Sequence, residues 1–313
     1  MKLSIIIPVY NSEKIVGKTI DEVIKYGRGL KTHFEVIAVN DGSSDKSWSV
    51  LLAKAKKHGK RIKVINLLRN VGQHSALLCG FSLARGQWVI TLDDDMQIHP
   101  REISKLLKHA SDDFDLVVGQ YAQKQHGFMR CIGSHLVQKM NEKIFGKPPD
   151  FYITSFRMLR RDVVDRILRW NTPFPYINGL MLLGSSRRIN VFVEHQSRKV
   201  GKSGYTVEKI IALLMRILFT YSSYPLRVAL GISIVACVLS LVVGSYFVTR
   251  KLMGDTRVEG WTSLVALMAF LNSFVVVLLA MIGEYVLNIF RQVTREPAFQ
   301  IKEIYQDQEY RNH

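Results

Sequence analysis

Four short apolar runs, each followed by a turn-forming cluster and a helical stretch, limit most severely what this chain can fold into. Residues 3–9 form a continuous apolar strand ending at Pro8, Tyr10 and Asn11, with a helical stretch over about 13–26. Residues 34–40 give a second strand, then a turn at 41–45 and a helix to about His58. Residues 61–67 give a third, then a turn at 69–73 and a small-residue helix over 75–85. Residues 88–92 give the fourth, and 113–119 resembles a fifth. Strands that are apolar throughout are covered on both faces, so the pattern predicts an α/β class: a Rossmann-like, mostly parallel sheet with helices on both faces. Ligands of such sheets bind beyond the carboxyl ends of the strands, where this chain keeps its polar clusters.

The fourth strand runs directly into Asp93, Asp94 and Asp95. Three adjacent carboxylates repel one another, and a hard divalent cation, Mg²⁺ or Mn²⁺, relieves that repulsion while sharing its coordination with phosphates. On extended backbone, Asp93, Asp95 and Gln97 point to one side and Asp94 to the other. The alternative is an acidic turn capping a helix that starts near Pro100. Asp41 has two readings as well, an acceptor for a nucleobase or ribose, or plain turn and cap chemistry in Asp-Gly-Ser-Ser. There is no G-x-G-x-x-G after the first strand and no G-x-x-x-x-G-K-[ST], which sets aside dinucleotide and P-loop folds.

The formal charge of +17 demands an anionic partner. Two uncharged stretches, 228–249 and 260–283, each reach the roughly 20 residues a membrane-spanning helix needs, predicting a two-helix transmembrane hairpin. Membrane lipids therefore suit the charge better than nucleic acid, for which no zinc-finger spacing or aromatic-basic signature is present. Residues 207–222 read as an amphipathic interfacial helix. The bulk of Lys and Arg lies before the first stretch or after the second, so the positive-inside rule puts both termini in the cytoplasm. The scattered Cys79, Cys131 and Cys237 form no disulfide framework, in keeping with a reducing cytosol. The expected organisation is a cytosolic catalytic domain (1–205), a juxtamembrane amphipathic region (206–225), two spans in the cytoplasmic (inner) membrane (226–290) and a cytosolic tail (291–313).

The set PVYN, VNDGSSD, RNVGQHSAL and LDDDMQ closely resembles the nucleotide-sugar half of family 2 glycosyltransferases with the GT-A fold. The whole chain is similar to the polyprenyl-phosphate glycosyltransferases, a group that includes dolichol-phosphate mannose synthase and bacterial undecaprenyl-phosphate sugar transferases. The resemblance implies transfer of a single sugar from a UDP- or GDP-linked donor to polyprenyl phosphate, metal-dependent and with inversion. It places Pro8, Tyr10, Asn11, Asp41, Arg69, Gln73 and Asp94 around the nucleotide sugar. Asp93, Asp95 and Gln97 would hold the metal, and Asp93, Asp95 and Arg157 would serve catalysis.

Further along, Arg130 and Ser134 lie four apart on a helical stretch at 128–145 and by the resemblance would contact the lipid phosphate, although an ordinary exposed basic helix reads the same way. Residues 154–157 resemble the family's TSGFR segment, with Ser155 where some members carry aspartate, so no catalytic base is carried over. A lipid phosphate is already ionised at neutral pH and needs none. Residues 198–205 resemble R-x-x-G-x-S-K-Y, with Gly204 replacing the second lysine. There Arg198, Lys202 and Ser203 would close on phosphate, unless the stretch is a polybasic linker. Ser12 before Glu13, and Asn40 before Asp41, depart from the family pattern and leave the nucleotide open. Two other classes stay in view: a related enzyme with another membrane acceptor, and a nucleotide-binding scaffold without activity. The number of subunits is open, a homo-oligomer included.

Overall fold

A computed structural model describes residues 2–307 except 31, 112, 122–127, 171, 197–206, 254–259 and 295–296, with backbone alone at 128–135, 207–210, 237, 240, 241, 243, 247, 248, 250, 251, 261–263, 265, 266, 269 and 292. The chain divides into two compact units, residues 1–205 with 295–313, and residues 206–294.

The first unit is built on an eight-stranded sheet. Its first half alternates regularly: β1 (Lys2–Val9), α1 (Val16–Gly29), β2 (His33–Asn40), α2 (Ser47–His58), β3 (Ile62–Leu67), α3 (Gln73–Leu83) and β4 (Trp88–Thr91). Then follow α4 (Ile103–Leu107), β5 (Leu116–Gln120), α5 (Phe128–Phe145), β6 (Arg157–Arg160), α6 (Arg161–Leu168), α7 (Ile177–Gly184) and β7 (Arg188–Phe192). β1 pairs in parallel with β2 on one side and β4 on the other, and β2 pairs in parallel with β3. Each of these strands is buried, as its apolar run requires. Ile5, Ile7 and Val9 of β1 share one core with Val16, Ile20, Val23 and Ile24 of α1. On the opposite face α3 lies close to the sheet because residue 80 is glycine; a Cβ there would come within 2.4 Å of Ile6 Cγ2.

Beyond β4 the sheet departs from the sequence expectation. β6 inserts antiparallel between β4 and β5, and β7 pairs in parallel with β5. Arg157–Arg160 has charged ends and no element is expected there from the sequence, yet Arg157 is only 1% exposed. The segment 291–313, expected as a separate tail, contains β8 (Ile301–Tyr305), which adds antiparallel to the β3 edge.

The second unit contains α8 (Val207–Tyr221), α9 (Tyr224–Leu252) and α10 (Trp261–Val293). Within it, Tyr285 donates its hydroxyl to the Ser222 carbonyl at 2.9 Å, and its ring meets Phe219 edge-on at 5.6 Å. Both long stretches are helical. Among the described residues one segment, Phe270–Arg291, with a mean hydropathy of 2.1, meets both the length and the apolarity needed to cross a membrane. The other expected span, 228–249, lies in α9 and includes residues whose side chains are outside the described ones. Phe270, Val276, Leu279 and Phe290 of α10 are exposed, as lipid-facing side chains would be.

Candidate active site

The strand order sets the position of the site. From β1 the chain winds outward to β2 and β3, then crosses back to β4 on the other side of β1, leaving a crevice at the carboxyl ends of β1 and β4. β4 stops first. Leu92 N still donates to the Ile6 carbonyl at 3.0 Å, after which the aspartates leave the sheet beside the end of β1.

Two loops clasp each other beside this crevice. Asn11 adopts φ 49°, its amide donates to Ser43 Oγ at 2.9 Å, and its Oδ1 accepts from Ser44 N at 2.9 Å. Glu13 N donates to Asp45 Oδ2 at 3.0 Å, while Glu13 Oε2 accepts from Lys46 N at 3.0 Å. Asn11, expected on the nucleotide, also braces the two loops. Pro8 is buried within β1. Tyr10 is 51% exposed and Arg69 is exposed too, so both can meet a ligand. Asp41, 3% exposed, accepts from Val71 N at 2.8 Å and Gly72 N at 2.9 Å and so fixes the 69–73 turn. Burial raises its carboxyl above the usual range, and those two amides oppose the rise. Gly42 is required here: at φ 58° an added Cβ would stand 2.5 Å from the Arg69 carbonyl carbon.

The aspartates separate as expected, in a turn past the end of β4. Asp93, Asp95 and Gln97 line one cleft of about 170 Å³ together with Tyr121, Ser155 and His195. Asp94 is outside that lining and instead accepts from the Ser12 side chain and the Tyr10 backbone. Burial pushes the Asp94 carboxyl up to about 7, with Asp93 and Asp95 adding to the rise. Its Oδ2 has no hydrogen-bond partner among the described residues. Thr19 Oγ1 of α1 donates to the Asp94 carbonyl at 2.8 Å and pins the turn. Met96 follows at φ 57°, a left-handed conformation that costs a non-glycine residue about 1 kcal/mol or more. Gln97 N then donates to Asp95 Oδ1 at 3.1 Å, closing the turn.

Asp93 is the most heavily supported group in the cleft. Gln73 Nε2 donates to its Oδ1 at 2.8 Å and Ser155 Oγ to its Oδ2 at 2.5 Å. Burial raises its carboxyl and the neighbouring Asp95 raises it further, opposed by Ser155, Arg157 and Gln73. Arg157 does not line the cleft. Its Nε donates to Thr91 Oγ1 at 3.3 Å and its Nη1 to Asn178 Oδ1 at 2.6 Å, so the guanidinium is turned inward. Burial lowers its pKa to about 10, with Asp93 the largest opposing influence, and it stays charged at neutral pH. Burial and then Arg157 hold His74 down to about 3, leaving a neutral ring edge-on to Tyr176 at 5.2 Å.

The donor set fits a divalent ion. Two carboxylates face one cleft with an amide oxygen beside them, and hard cations take such oxygen ligands while leaving positions for phosphate. Among the described residues no group of three His, Cys, Asp or Glu side chains is placed to hold a metal, so any ion here rests on two carboxylates plus Gln97.

Tyr121 and His195, with rings 4.5 Å apart, come to the cleft from β5 and β7 neighbourhoods that carry no motif, and sequence reasoning missed them. Burial raises the Tyr121 hydroxyl, keeping it a proton donor. Arg130 and Ser134 lie on α5 with their side chains outside the described residues, as are Arg198, Lys202 and Ser203 altogether.

Residues 4–168 match the family model described as Glycosyl transferase family 2. The chain belongs to this family. It is 31% identical over 98% of its length to the undecaprenyl-phosphate 4-deoxy-4-formamido-L-arabinose transferase of Photorhabdus laumondii, covering 95% of that protein. The transferase of the same name from Proteus mirabilis is 30% identical over 97% of this chain and 94% of its own. Among solved structures, glucosyl-3-phosphoglycerate synthase from Mycobacterium tuberculosis in complex with Mn²⁺, UDP and phosphoglyceric acid aligns with a TM-score of 0.52 at 15% identity, over 70% of this chain and 76% of that one. Mannosyl-3-phosphoglycerate synthase from Rubrobacter xylanophilus aligns with a TM-score of 0.50 at 16% identity, over 70% and 72%. These structures establish the fold as the GT-A type expected of this family 2 glycosyltransferase.

Proposed function

We propose that this family 2 glycosyltransferase transfers one sugar from a nucleotide diphosphate sugar to a polyprenyl phosphate, undecaprenyl phosphate in the first instance. The observation that carries the reading is the convergence of Asp93, Asp95 and Gln97 on one cleft at the β1–β4 crevice, in a chain whose full-length relatives are named for that acceptor.

In this reading the 69–73 turn, held by Asp41, forms the floor under the nucleotide, and the exposed Tyr10 ring covers a base, uridine or guanosine. Asp93, Asp95 and Gln97 would hold Mg²⁺ or Mn²⁺, which would supply Lewis-acid neutralisation of charge on the departing diphosphate. Gln73 and Ser155 fix the Asp93 carboxylate in one orientation, and Arg157 balances its charge from below, a positioning role rather than contact with substrate. A lipid-phosphate oxygen bonds to the anomeric carbon as the bond from that carbon to the diphosphate oxygen breaks. The nucleophile is an anion before it arrives, so no proton is removed, and a serine at position 155 costs the reaction nothing as a base. Bringing two polyanions together then rests on orientation and charge, with Arg130, Ser134, Arg198, Lys202 and Ser203 the candidates for the acceptor side. A hairpin of α9 and α10 anchors the chain in the cytoplasmic membrane, with the sheet domain and both termini on the cytoplasmic side, a reading supported by the distribution of Lys and Arg.

The test is transfer by the purified full-length protein in detergent, with Mn²⁺, radiolabelled UDP- and GDP-sugars and undecaprenyl phosphate. Label extractable into organic solvent is expected with one donor. Transfer to water-soluble acceptors alone overturns the lipid assignment.

A further inference from the structure

At the opposite end of the sheet from the aspartates, a cavity of about 900 Å³ opens at the starts of β1, β2, β3 and β4. Its lining includes Lys2, Lys60, Lys63, Arg85 and Arg161 around a single carboxylate, Glu35. Two of the cations are engaged: Arg161 with Asp165 at 2.8 Å, and Lys60 elsewhere in the fold. Lys63 is the unusual one. It is 9% exposed, on a strand, and its ammonium makes no hydrogen bond or ion pair among the described residues. A lysine stem can usually carry its charge out to water, and here Lys63 lines this cavity.

Glu35 does not neutralise the group. Its Oε1 already accepts from Ser4 Oγ at 2.6 Å and from Arg85 N at 2.8 Å, and one carboxylate faces the three charges of Lys2, Lys63 and Arg85. The excess is about two positive charges in a concave, partly desolvated space, an arrangement that attracts a compact dianion. Burial lowers the Lys63 pKa; Glu35 opposes that, while Arg85 and Lys2 add to it, so a bound anion would relieve a repulsion already present.

We infer that this cavity is a second anion site, separate from the catalytic cleft, which binds a phosphate-bearing ligand through Lys2, Lys63 and Arg85. From Gln87 at the cavity to Asp93 at the cleft the chain spans six residues, roughly 20 Å at ~3.3 Å per residue, too far for one small ligand to touch both. The phosphate could come from a soluble phosphorylated compound or from a phospholipid headgroup, and the chemistry of recognition is the same.

Titration calorimetry on the full-length protein in detergent separates these, using inorganic diphosphate and, in a second arm, dihexanoyl phosphatidic acid. EDTA is present throughout to silence metal-assisted binding at the aspartates. Binding of either probe is expected in the wild type, weakened at least tenfold in the Lys2→Gln/Arg85→Gln double variant and unchanged in Asp95→Asn. Both substituted cations are exposed, so that variant is expected to keep its fold and its transferase activity, and Lys63→Met provides a second, buried probe. Preference for diphosphate identifies a soluble ligand, and preference for the phosphatidic acid a lipid. No heat in the wild type, equal affinity in the double variant, or loss in Asp95→Asn overturns the site.

Discussion

Ser155 holds Asp93: its hydroxyl donates to Oδ2 at 2.5 Å from the end of the loop that precedes β6, while Thr91, two residues before Asp93, donates its own hydroxyl back to the Ser155 carbonyl. This reciprocal clasp ties the antiparallel strand β6 to the carboxyl end of β4. Ser155 is thus a group that orients a carboxylate. Ser155→Ala is expected to lower kcat/KM by roughly 10- to 100-fold, the ~1.5–3 kcal/mol of a hydrogen bond to a charged group, with little change in melting temperature. Steady-state kinetics on the lipid acceptor checks this; unchanged kinetics would show that Asp93 needs no such support.

Arg157 differs from Ser155 in that its loss strikes the fold as well. Removing a guanidinium that satisfies Asn178 and Thr91 and offsets Asp93 leaves buried polar groups unmatched. Arg157→Met is expected to destabilise the protein by about 2–3 kcal/mol in addition to depressing activity, read by thermal denaturation. A variant with wild-type stability and reduced activity would instead place Arg157 in contact with substrate.

Gly42 carries a narrower prediction. Any side chain at φ 58° and 2.5 Å from the Arg69 backbone must displace the 69–73 turn that Asp41 holds. Gly42→Ala is expected to cost about 1–3 kcal/mol of stability and to raise KM for the nucleotide sugar more than it lowers kcat. An unchanged KM would remove this turn from the nucleotide site.

A pH effect on stability is expected far from the cleft. Burial would raise the Asp21 pKa, but bonds from Lys54, His58 and Lys57 outweigh it and lower the carboxyl to about 2 from 3.8. A depressed folded-state value means stability fully present above pH 3.8 and lost as pH falls toward 2. With the carboxylate 33% exposed, solvent screening reduces this to about 1 kcal/mol. Asp21→Asn should therefore lower the melting temperature at neutral pH and flatten its decline in acid; an identical acid limb in both proteins would contradict this.

The parts of the fold legible in the sequence are those where local pattern and global role agree. β1 to β4 are apolar runs that end in turns, and the separation of Asp94 from Asp93 and Asp95 is the one expected, although a turn past the end of β4 produces it rather than extended strand. β6 was hidden because RMLR looks like a solvated segment, and only the neighbours that Arg157 meets in three dimensions make its burial tolerable. Asn11 shows the other limit: turn residues that contact ligands and turn residues that brace loops have the same composition, and the difference lies in Ser43 and Ser44, some thirty residues away. Tyr121 and His195 reach the cleft through long-range pairing that no local signal encodes, as does β8 on the β3 edge.

The most direct measurement is Mn²⁺ uptake, followed by electron paramagnetic resonance of the free ion, on purified full-length protein with UDP or GDP present. One ion bound per chain is expected in the wild type, with affinity reduced at least a hundredfold in Asp95→Asn and less severely in Gln97→Ala. Equal Mn²⁺ uptake by the wild type and by an Asp93→Asn/Asp95→Asn double variant would contradict the assignment of these oxygens to the metal.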